Sequence, residues 1–122
     1  MTRASDLAKL IGAGATINDG TTITTADNTD QLTLISTDAD GNRGPRLALT
    51  RNSASPADND VAGTIKFNAK NDAAEDIELF EINTAIIDAS DGTEDSQMNI
   101  NGIVGGASTS RLSLKNGEAV FN

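Results

Sequence analysis

Apolar and polar side chains alternate two by two through residues 46–94, in three short runs. Leu47 and Leu49 carry the pattern in RLALTR, Ile65 and Phe67 in GTIKFNAK, and Ile82, Thr84 and Ile86 in IELFEINTAII. A period of two puts one face of each run against a core and the other against water, so each run is expected to be a strand. The loops NSASPADND, NDAAED and DASDGTED that follow the runs are acidic, the first with a Pro and the last with a Gly, and reverse the chain. The expected fold is an antiparallel meander. In residues 77–87 the phase slips: Ile77 and Leu79 alternate, then Phe80, Ile82 and Ile86 take the opposite parity. A β-bulge near Leu79–Phe80 absorbs such a slip, unless both faces of the strand are buried; a helix is the competing reading.

The same pattern extends to both sides. Residues 31–36 (QLTLIS) read as the first firm strand of the module, before the broad turn DADGNRGP. Residues 97–104 (QMNINGIV) read as another strand, with Met98 and Ile100 on one face, and GGAS after them as a flexible turn. Residues 110–114 and 118–121 form a terminal hairpin around Asn116-Gly117, the strongest type I′ signal in the chain.

Residues 4–11 have a different period. Leu7, Leu10 and Ile11 fall at i, i+3 and i+4, Ser5 can cap the start, Asp6 suits the positive end of the dipole, and Gly12 and Gly14 end the run. A helix of two to three turns does not hold alone in water, so it must dock, either on its own domain or on another protein. Behind it lies a polar, aromatic-free linker. It has room for short strands at residues 15–17 and 21–25 around Asn18-Asp19-Gly20. The expected organisation is an N-terminal attachment segment, residues 1–30, and an antiparallel β module, residues 31–122, meander or sandwich-like.

Composition then changes the picture. Of 122 residues, 37% are apolar and only 2% aromatic, namely Phe67, Phe80 and Phe121. Aromatics give the largest burial per residue, so a lone chain is poor in core-forming surface, and copies sharing a core is the simplest remedy. There is no cysteine, which leaves the redox compartment unread, and no histidine, which removes the commonest general base and metal ligand. A net charge of −9 disfavours nucleic acid and anionic membranes as partners. No apolar run reaches a membrane span, and Asp6 and Lys9 interrupt any signal-peptide core.

The motifs that carry chemistry elsewhere are incomplete. Asp38, Asp40 and Asn42 begin like a calcium loop, but position 49, where the bidentate Glu belongs, is Leu. Asp88, Asp91, Glu94 and Asp95 form a second acidic cluster; a solvated loop is its ordinary role, a shared cation site between chains its sharper one. Paired carboxylates cleave glycosides only beside aromatic-lined grooves, which this composition does not supply. Ser and Thr have no His to activate them. Gly12-Ala13-Gly14 does not complete GxGxxG, and residues 102–106 have no P-loop Lys. The basic residues Arg43, Arg46, Arg51, Lys66, Lys70, Arg111 and Lys115 are scattered, and the arginines at both ends of residues 46–51 suit edge protection. No catalytic residue, cofactor site or metal site is expected.

The motif strings resemble a module of tailed-bacteriophage virion structural proteins, of the marine and cyanophage type. They are Gly44-Pro45, RNSASPADND from Arg51 to Asp60, GTIKF from Gly63 to Phe67, KND from Lys70 to Asp72, and DASDGTED from Asp88 to Asp95. The opening TRASDLAKLIG is similar to openings in the same proteins. The family often has Tyr where Phe80 or its neighbour stands, and its longer fibres continue to a receptor-binding tip. The resemblance implies a non-enzymatic homotrimer, a tail fibre or its proximal portion, attached through its N-terminus to another virion protein of tail or baseplate. Leu7, Leu10 and Ile11 would make that attachment. A capsid decoration or cement protein is the alternative, and a carbohydrate-binding module meeting a host surface glycan a more remote one. The implied location is the virion, on the tail or capsid surface, after assembly in the host cytoplasm.

Overall fold

The computed structural model describes Ile17 and residues 19–122, so the expected helix with Leu7, Leu10 and Ile11 lies outside the described residues. The chain divides into two units, Met1–Arg46 and Leu47–Asn122.

The second unit is one five-stranded antiparallel sheet in the order β1-β2-β3-β4-β5. The strands are β1 (Val61–Lys70), β2 (Asp76–Asp88), β3 (Asp95–Val104), β4 (Ala107–Lys115) and β5 (Glu118–Phe121). The fold is mainly β and a meander, as the alternation predicts. It is one open sheet; no second sheet packs on it among the described residues, so a sandwich-like module is not what forms.

Turn chemistry sets the register. Asn116 and Gly117 have φ of 52° and 76°, so the β4–β5 turn has the two left-handed residues that a type I′ hairpin requires. Gly105 and Gly106 do the same between β3 and β4, with φ of 57° and 85°, and Val104 faces Ala107 directly across them. The glycines of GGAS thus form a tight hairpin rather than a flexible turn. The β1–β2 loop is held by Asn71, whose Oδ1 accepts the amides of Ala73 and Glu75 at 3.0 and 2.9 Å. The phase slip of residues 77–87 is resolved as a bulge: Phe67 faces Phe80 and Asn68 faces Glu78, leaving Leu79 as the extra residue.

Residues 31–36 and 46–51 carry the strand pattern but join no sheet among the described residues. Alternation dictates which side chains would share a face; it cannot supply a partner for the backbone. In the first unit, short local hydrogen bonds shape the bends. Asp27 accepts the Thr29 amide at 3.0 Å, and Asp40 accepts the Asn42 amide at 2.9 Å and its side-chain amide at 2.6 Å. These bonds favour ionised carboxylates, so hydrogen bonds from Thr29 and from Asn42 lower the pKa values of Asp27 and Asp40.

Candidate functional site

The two faces of the sheet differ sharply, and the difference follows from register. Residues paired across an antiparallel ladder point the same way. One row therefore runs Ile65–Ile82–Ile100–Leu112–Phe121 across all five strands. A second row on the same side runs Gly63–Thr84–Met98–Leu114–Ala119, and a third Phe67–Phe80–Gly102–Thr109. None of these residues is charged. Little of the described chain covers them: Leu49 lies against Gly63, Ile82, Ile100 and Leu112 are half-buried, and among the described residues no hydrophobic side chain is fully buried and only Gly102 is buried at all. Phe67, Phe80 and Phe121 stay 52%, 47% and 79% exposed. Phe67, Leu79, Phe80, Ile82 and Ile100 line a shallow apolar hollow of about 430 Å³.

Gly102 shapes that hollow. A Cβ at this position would lie 2.7 Å from Cε1 of Phe80, so the ring rests on bare backbone. Gly102→Ala must push the ring aside, and we expect a loss of about 1 kcal/mol. Thermal unfolding at fixed protein concentration measures it; an unchanged midpoint would show that the ring does not rest there.

The opposite face is a polar ladder. Lys66 pairs with Glu78 at 2.7 Å and, more loosely, with Glu81 at 3.7 Å. Asn83 donates to Glu81, Asn99 donates to Asn83 at 3.2 Å, and Gln97 donates to Asn99 at 2.6 Å and to Ser113 at 3.1 Å. The chain of hydrogen bonds crosses three strands, β2 to β4, and the ion pairs of Lys66 extend the ladder to β1. Glu78 first, through its hydrogen bond and charge, and then Glu81 raise the pKa of Lys66. Fully partnered amides of this kind fix register without demanding burial.

The RNSASPADND string forms a clasp at the end of β2. Arg51 Nη2 meets Asp60 Oδ1 at 2.9 Å, and Asp60 Oδ2 accepts the Ala57 amide at 3.1 Å. The Asn59 amide donates to Ile86 O at 2.7 Å, and the Ile86 amide to Asp60 O at 3.0 Å. Asp58 Oδ1 accepts the Ala89 amide at 2.9 Å, which ties the clasp to the DASDGTED loop. Asn59 has φ of 70°, a left-handed value that Asn tolerates. Leu49 lies close over Gly63, where a Cβ would come within 3.0 Å of its own.

These and similar contacts occupy some of the acidic side chains with backbone amides. Among the described residues no three acidic side chains converge to hold a metal ion. Asp38 accepts the Asp40 amide at 3.3 Å, and Asp88 accepts the Ser90 amide at 2.9 Å. Ser90, through its backbone and then its hydroxyl, lowers the pKa of Asp88. A depressed carboxyl stabilises the fold above its unfolded value, about pH 4, and loses that contribution as pH falls through the lower folded value. In an NMR titration the Ser90 amide should therefore move with a midpoint below about pH 4; a midpoint at or above it would show that the bond does not form.

No protein-family model matches this chain, and no curated protein or solved structure matches it either.

Proposed function

We propose that this chain is a non-enzymatic structural subunit of a tailed-bacteriophage virion, a homotrimer serving as a tail fibre or its proximal portion. The observation that carries the assembly is the uncharged apolar face, which runs across five strands with none of its hydrophobic side chains fully buried. The exposed parts of Ile65, Phe67, Phe80, Met98, Leu114 and Phe121 come to roughly 600 Å² on typical side-chain areas, at the upper end of patches on stable monomers. That approaches the roughly 800 Å² each partner buries in a standard interface. The chain's net charge of −9 would repel copies, yet the face itself bears none of it. Three copies turning this face inward leave the amide ladder outside in water. The virion assignment rests on the motif strings, whose residues here build the clasp and the loops.

Light scattering should return three times the chain mass of 12.6 kDa. A clean monomer at micromolar concentration refutes the assembly. Deleting residues 1–14, with Leu7, Leu10 and Ile11, should leave the module folded but absent from particles; continued incorporation removes the anchoring role. Immunogold labelling on heads instead of tails would replace the fibre by a capsid decoration protein.

A further inference from the structure

We infer that residues 31–36 are a β-strand that pairs with the outer edge of β1 in a neighbouring copy of the chain. This rests on the reading that copies assemble, and it names a second contact for that assembly. The segment QLTLIS has strand alternation and no charge. From residue 32 to residue 39 the chain shows no turn or bend, and no backbone-to-backbone hydrogen bond joins residues 31–36 to any described residue; the one local bond is from the Asp38 amide to Ser36 Oγ at 3.3 Å. Leu32 and Ile35 are 63% and 78% exposed. A lone strand of this length does not hold its shape in water, because its amides and carbonyls gain nothing over hydration and its side chains bury nothing.

The same chain has a matching vacancy. β1 is an edge strand, paired only with β2. Its ten residues exceed the six of the segment, whereas the other edge, β5, has four. Charge does not oppose this pairing: the only charged residues of β1, Lys66 and Lys70, are paired with Glu78 and Asp76 of β2 at 2.7 Å each, and the segment itself is uncharged. Every copy therefore offers one donor strand and one acceptor edge. A donor and an acceptor at different places on one chain make a head-to-tail contact, which closes into a ring when the rotation allows it.

Two measurements on the full-length chain decide this. In hydrogen exchange at an assembling concentration, alternate amides of residues 32–36, those that face β1, should exchange about 100-fold more slowly than an unstructured chain. Exchange at the unstructured rate in a sample that scatters as an oligomer overturns the inference and leaves the assembly standing. A monomeric sample overturns both. Because the chain has no cysteine, single-cysteine variants can be mixed, refolded together and oxidised. Thr33→Cys should cross-link to Asn68→Cys in β1 and not to Val120→Cys in β5. Protection with cross-linking to β5, or to neither, overturns the proposed edge.

Discussion

Replacing Phe67 and Phe80 together by Thr should turn the assembly into monomers at micromolar concentration. The two face each other across β1 and β2 and are each about half exposed. Roughly 100 Å² of each ring is left for a neighbouring copy, so their removal costs about 5 kcal/mol of association per chain, more than a thousandfold in the association constant. Thr keeps the strand propensity, so the sheet itself should survive. Sedimentation or light scattering reads the mass, and far-ultraviolet circular dichroism reads the sheet. An oligomer of unchanged mass and affinity would show that this face is not the contact. As a control, Asn99→Thr lies on the polar face, where it donates to Asn83 and accepts from Gln97; it should leave the mass unaltered.

Asp60→Ala should lower stability by about 2 kcal/mol, the second-largest effect expected. The carboxylate has two tasks. One oxygen meets Arg51, and the other accepts the Ala57 amide. The Arg51 side chain is 47% exposed, so solvent screening keeps the ion pair to well under about 1 kcal/mol. Most of the loss is the hydrogen bond to the exposed Ala57 amide, worth about 1 kcal/mol net, and the loosening of the loop that joins β2 through Asn59. Asp60→Asn keeps an acceptor for Ala57 and should therefore lose about half as much. Thermal unfolding at fixed concentration compares the two, since assembly couples to stability. Equal losses from Asn and Ala would mean the charge, not the acceptor, holds the clasp.

The acidic strings Arg51 to Asp60 and Asp88 to Asp95 are read differently once the contacts are known. Asp58, Asn59 and Asp60 look in sequence like an acidic surface loop. In the fold they bind Ala89, Ile86, Ala57 and Arg51. No residue type among them announces this, because, Arg51 aside, their partners are backbone groups up to 31 positions away. The polar ladder was equally hidden. Glu81, Asn83, Gln97 and Asn99 each read as an ordinary outward-facing residue, and only the pairing of β2 with β3 lines them up.

What the amino-acid order determined unaided is local. Alternation placed Ile65, Phe67, Ile82, Thr84 and Ile86 on one side, the parity change at Leu79–Phe80 announced a bulge, and Asn116-Gly117 announced its hairpin. Each depends on neighbours within a few residues, where steric and turn preferences act directly. The tertiary structure alone decided that there is one open sheet, that residues 31–36 and 46–51 stay outside it, and that an uncharged row of five side chains crosses it with none fully buried. Those are matters of which backbone pairs with which, and alternation is the same whether a strand's partner lies in its own chain or in another.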